Sequence, residues 1–149
     1  KTFKQTPITK YKHKAEAGYK SKRKLIKYET LHSKSPLQAS FYRSKSGREP
    51  VREWLDKLSN QDKKRFGRDL RRLQMQWPIG MPLVRKIEKD LWEIRTHLAT
   101  GLARTLFTIS QNRVILLHGF IKKTAKLPLV ELDTARRRHA AFRSEGLNE

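Results

Sequence analysis

From Val114 to Ile121 the chain reads Val-Ile-Leu-Leu-His-Gly-Phe-Ile, and Lys122, Lys123 and Lys126 follow at once. Eight mostly apolar residues are too few to span a membrane and read as a β-strand buried on both faces. A strand so dense in Val, Ile, Leu and Phe belongs near the centre of a sheet. It therefore carries its lysines to one fixed edge of the domain, where charges on a rigid scaffold can form a site.

The rest of the chain must cover that strand with little apolar material. Of 149 residues, 36% are hydrophobic, so part of the chain contributes little to a core. The 35 Lys and Arg against 14 Asp and Glu give a formal +21, a field that seeks polyanions: RNA, DNA, an anionic membrane or an acidic protein. The absence of cysteine excludes disulfides, a Cys-ligated zinc and a thiol nucleophile. With no long apolar run and no signal-peptide pattern, the expectation is a cytoplasmic protein without membrane attachment.

Residues 1–36 hold eleven basic residues against Glu16 and Glu29, and their apolar residues keep no period. Without a face to bury, ordering entropy goes unopposed, and the segment reads as a disordered or loosely attached basic extension. Two roles stand open for it: a nucleic-acid tether, or none. The domain then spans residues 37–149.

Within it Leu37 to Arg43 is a short strand. Pro50 opens a helix with Val51, Trp54, Leu55 and Leu58 on one stripe. Asn60 can cap a second helix, with Phe66, Leu70, Leu73 and Trp77 at helical spacing. Six basic residues between Lys63 and Arg72 cover much of its other surface, either as a solvated face or as one that binds acidic partners. Leu91–Leu98 alternates as a strand, Leu102–Ser110 returns, and Arg113–Ile121 follows Gln111-Asn112, a pair of hairpin-turn composition. After Pro128 a last helix carries Leu132, Ala135, His139 and Phe142 on one face. The fold class is α+β: a small antiparallel sheet with a mixed edge, two N-terminal helices on one face and a C-terminal helix.

Register ties this to chemistry. A four-residue loop from Ala99 to Leu102 sets His97 opposite Arg104, so that Arg95, His97 and Arg104 share a face. A two-residue turn at Gln111-Asn112 sets Arg104 opposite Gly119 and brings Lys123 to the same face. The expectation is a basic groove of Arg95, Arg104 and Lys123, rimmed by His97, Lys122 and Lys126, with Glu93 as the ion partner of Arg95. His118 falls on the other face, with Trp92, Ile94 and Phe107, as a core histidine.

Five segments in order carry a resemblance: Gly47-Arg48-Glu49-Pro50-Val51-x-x-Trp54-Leu55, Gly80-Met81-Pro82-Leu83-Val84-Arg85-Lys86, Leu91-Trp92-Glu93-Ile94-Arg95, Ala103-Arg104-x-x-Phe107, and Leu117-His118-Gly119-Phe120-Ile121-Lys122-Lys123-Thr124-x-Lys126-x-Pro128. Together they resemble the phage-derived HigB-like branch of the RelE/ParE toxin superfamily, from about Phe41 to Arg143. Leu127 departs from the Thr that many members place before the Pro.

The resemblance implies a RelE-like fold and the toxin of a type II toxin–antitoxin pair: a ribosome-dependent mRNA endoribonuclease silenced by a cognate antitoxin, commonly of helix-turn-helix type. It places the catalytic set on Arg95, Arg104, Lys122, Lys123 and Lys126; register adds His97, either as a further member or as an exposed polar strand residue. Arg85, Lys86, Arg136 and Arg137 are candidates for RNA backbone contact. Cleavage by the RNA's own 2′-oxygen needs that hydroxyl deprotonated, the phosphate charge stabilised and the 5′-oxygen protonated. Arginine suits the middle task, and a lysine packed among cations suits proton transfer. No metal or other cofactor is expected. Two readings of other classes compete: a ParE-like inhibitor of DNA gyrase without nuclease activity, and an RNA- or ribosome-binding protein without turnover.

Overall fold

The computed structural model describes residues 35–147. The segment 1–36, expected as a basic extension, lies outside the described residues apart from Ser35 and Pro36. In chain order the elements are β1 (Gln38–Phe41), α1 (Pro50–Asp56), α2 (Asn60–Gln76), β2 (Val84–Glu88), β3 (Leu91–Leu98), β4 (Gly101–Ser110), β5 (Arg113–Ile121) and α3 (Leu129–Leu147). The strands form one sheet in the order β1-β5-β4-β3-β2, antiparallel except for β1, which runs parallel to β5. The α+β class and the mixed edge agree with the sequence.

Four strands follow the helices rather than the expected three. The extra one, β2, reads Val-Arg-Lys-Ile-Glu, too polar and short to show alternation, and a register shift between Lys86 and Glu88 breaks what period it has. As an edge strand it needs little apolar content. One helix boundary also moves. Ser59, not Asn60, caps α2, its hydroxyl accepting from the Asp62 N–H at 3.1 Å.

Val114 to Leu117 in β5 are 0–1% exposed, because helices cover both faces of the sheet. On one face Val51 of α1 and Phe66 and Leu73 of α2 pack with Ile94, Phe107, Val114 and Leu116. Trp54 of α1 lies against the backbone of Gly119, where a Cβ would overlap its indole ring. On the other face Ala135 of α3 packs with Leu91, Leu106, Ile115, Leu117 and Phe120, joined at the margin by Leu132 and Phe142. The domain thus has three layers, with α3 lying on the face expected to carry an open groove.

Candidate functional site

The site begins with register. The β3–β4 connection is a two-residue turn, Ala99-Thr100, in place of the expected four-residue loop, and Arg95 stands directly opposite Arg104. A change of two residues preserves parity, so the shared face of Arg95, His97 and Arg104 holds. Gln111-Asn112 is the expected two-residue turn, both residues at positive φ.

The pairing then slips between Leu106 and Phe107: Phe107 faces Leu116, but Leu106 faces His118. Leu117 is the extra residue of a β-bulge. Its carbonyl, freed from the ladder, accepts a hydrogen bond from Arg138 Nη1 of α3 at 2.9 Å. A one-residue slip exchanges the two faces for everything downstream. Arg104 therefore faces Phe120, not Gly119, and register brings Lys122, not Lys123, to the Arg104 side. His118 likewise sits on the α3 side rather than in the layer of Trp92, Ile94 and Phe107.

Both ring nitrogens of His118 are occupied: Nε2 lies 2.9 Å from Glu131 Oε1 and Nδ1 3.2 Å from Arg138 Nη1. Arginine can only donate, so Nδ1 accepts and the neutral ring donates from Nε2 to the carboxylate. Burial holds this imidazole below its usual range. Glu131 opposes the shift, and Arg138 and Arg137 add to it.

Arg104 is only 1% exposed. Its Nε donates to Glu93 Oε2 at 2.6 Å, and Glu93 is itself fully buried. The other carboxylate oxygen is 3.2 Å from Arg85 Nε, an ionic contact not aligned as a hydrogen bond. Glu93 thus serves Arg104 and Arg85, not the expected Arg95. Glu93 is the partner that makes the burial of Arg104 tolerable. Both Nη atoms of Arg104 are buried without one among the described residues, and the guanidinium lies 5.8 Å from the Phe120 ring. Arg104 is therefore no lining residue of an open groove.

Arg95 is half-buried. Its side-chain contact is with the Met81 sulfur at 3.9 Å, and no carboxylate among the described residues pairs with it. Directly opposed like charges are unfavourable, and the one buried carboxylate beside this pair is already shared between Arg104 and Arg85. At the end of the sheet His97 pairs with Leu102, whose carbonyl accepts the Lys122 N–H at 2.7 Å. His97 is exposed and Lys122 half-buried; Lys123 and Lys126 stand exposed in the following loop. The structure thus brings together Arg95, Arg104, His97 and Lys122, with the other two lysines beyond them.

The remaining candidates scatter. Arg85 joins the cluster through Glu93, whereas Lys86 faces Trp92 in register and lies on the opposite side of the sheet. Arg136 is held by Glu88 at 2.7 Å and Asp133 at 3.2 Å, while neighbouring Arg137 is exposed. Sequence reasoning assigned Glu93 to Arg95 and missed its pairing with Arg104 and Arg85, though alternation in β3 already placed it on the arginine face. Among the described residues no group of three or more His, Asp or Glu is arranged to hold a metal ion. No helix among them is long and apolar enough to cross a membrane.

A five-stranded mixed sheet with two helices on one face, a C-terminal helix on the other and a cationic strand end is consistent with the RelE-like fold. Residues 53–140 match the family described as phage derived protein Gp49-like (DUF891), and the chain belongs to that family. It is a family associated with the toxins of toxin–antitoxin systems, in the RelE/HigB-like superfamily. No curated protein matches the chain.

Proposed function

We propose that the protein is the toxin of a type II toxin–antitoxin pair of the HigB-like branch, acting as a ribosome-dependent mRNA endoribonuclease and neutralised by a cognate antitoxin. The observation that carries this reading is the directly opposed Arg95 and Arg104, with Glu93 compensating only the buried member. A stable sheet has no need of such a pair; a phosphate does.

In this reading Arg95 contacts the scissile phosphate, and its planar, permanently charged fork stabilises the extra negative charge as the 2′-oxygen attacks. Arg104, fixed through Nε by Glu93, adds positive potential from the neighbouring strand. The new bond is O2′–P and the broken one P–O5′. One proton leaves the 2′-hydroxyl and another reaches the departing 5′-oxygen, tasks for Lys122 and His97. Lys123 and Lys126 hold the RNA backbone alongside. The surplus of positive charge also suits an acidic antitoxin segment that would cover the same strand end.

Purified protein added to translating ribosomes tests this. Arg95→Ala should lower cleavage of a reporter mRNA by about 10²–10³, the usual cost of one charge-stabilising group, and Lys122→Ala by about 10²–10⁴, that of a proton-transfer group. Undiminished cleavage by both variants would remove the site. Intact mRNA accompanied by gyrase-dependent DNA breaks would support the ParE-like reading instead.

A further inference from the structure

A second cationic surface lies on the far side of the sheet from Arg95. Helix α2 turns Phe66, Leu70 and Leu73 toward the core. At 3.6 residues per turn, Lys64, Arg68, Arg71 and Arg72 then fall on the opposite face. All four are exposed, and none forms an ion pair among the described residues, where the helix's one salt bridge joins Arg65 to the buried Asp62. Lys64, Arg68 and Arg72 stand one helical turn apart, roughly 6 Å along the axis.

We infer that this face of α2 docks the phosphate backbone of a structured, double-helical RNA, at a surface separate from the candidate cleavage site. Three of the four cations are arginines, which match phosphate oxygens with a fork of donors. Protein interfaces are anchored by buried aromatic and aliphatic residues. Here Met75 is the one exposed large apolar residue on α2, so an acidic protein would find charge without an anchor. Nucleic-acid interfaces have the composition seen: polar and strongly positive. With cations on both sides of the sheet, the domain can hold a folded RNA on α2 while a single strand lies at the end of β3, β4 and β5. The choice of RNA over DNA rests on the nuclease reading; the phosphate-binding row does not.

The test uses the full chain, a labelled 16-base-pair RNA duplex, a DNA duplex of matching sequence and polyglutamate, with affinity measured between 50 and 200 mM KCl. For K64Q/R68Q/R72Q, log affinity for the RNA should fall with log salt less steeply, by about two to three, because each lost phosphate contact removes about 0.7–0.9 from the slope. Binding at 50 mM should weaken roughly tenfold or more. Circular dichroism should stay that of the parent, as these side chains are exposed. R95A/K122A should keep the parent's slope for the duplex. If the parent cuts no mRNA yet the α2 variant loses slope, the nuclease reading fails and the docking surface stands. An unchanged slope overturns the surface. Loss confined to polyglutamate or to the DNA duplex overturns the choice of RNA.

Discussion

Replacing Glu93 by Gln removes one charge and almost no volume, at the most enclosed polar position of the sheet. The carboxylate is 0% exposed and touches Arg104 Nε at 2.6 Å and Arg85 Nε at 3.2 Å. Arg85 is half-exposed and can move its guanidinium toward water along its aliphatic stem. Arg104 cannot, because β3, β5 and Phe120 enclose it and its Nη atoms already lack partners. The variant thus leaves a buried cation uncompensated, which costs about 3–5 kcal/mol. For a domain of this size that lowers Tm by roughly 10–25 °C. Urea unfolding followed by tryptophan fluorescence measures it. The control is E93L/R104M, which removes both charges and should recover most of the loss, since apolar replacement of a buried pair is often neutral. A cost below about 1 kcal/mol for E93Q would refute the enclosure of this pair. A double variant no better than the single one would refute the electrostatic origin of the loss.

Two other perturbations follow from the packing. Gly119→Ala drives a methyl group into the Trp54 ring and should cost about 1–3 kcal/mol, with Trp54→Leu in the same chain restoring part of it; urea midpoints of both variants decide this. His118 is held neutral in the fold by burial, so the unfolded chain binds the extra proton and stability is lost as pH falls below about 6.5 toward the lowered folded value. Protonation also sets an Nδ1–H against the Arg138 donor, loosening α3 from the bulge. Between pH 7 and 5.5, stability of the parent should decline with a slope approaching 1.4 kcal/mol per unit at most from this group. His118→Gln should flatten the decline but leave a remainder from His139, which burial and Arg143 also hold low. Identical slopes for parent and H118Q would show that His118 is not the proton acceptor.

The fold was legible where a single period dominates. Strands β3 and β5 keep the bounds that alternation and apolar density assign them, because β5 carries four consecutive core residues and β3 spaces Leu91, Ile94 and Leu98 over its whole length. Strand β2 was illegible because its neighbour β3 and its position at the edge, not its own composition, hold it in the sheet. Of the site, the shared face of Arg95, His97 and Arg104 was legible, since a loop shortened by two leaves parity intact, although it moves the residue opposite Arg104 from His97 to Arg95. It was illegible beyond Leu116. A bulge there adds one residue of the same apolar kind as its neighbours, and the contact that satisfies it comes from Arg138, twenty-one residues away. That one residue turned His118 to the α3 face and exchanged Lys123 for Lys122 beside Arg104. The burial of Arg104 was equally hidden. It depends on α3 and Phe120 closing over the sheet, which local patterning does not encode.

The central proposal is that the cationic strand end cuts translated mRNA. Its most direct measurement is a map of mRNA 5′ ends before and after induction of the parent and of R95A/K122A at matched protein levels. New ends inside translated frames should appear with the parent and vanish with the variant. Growth arrest by the parent without such ends would contradict the proposal.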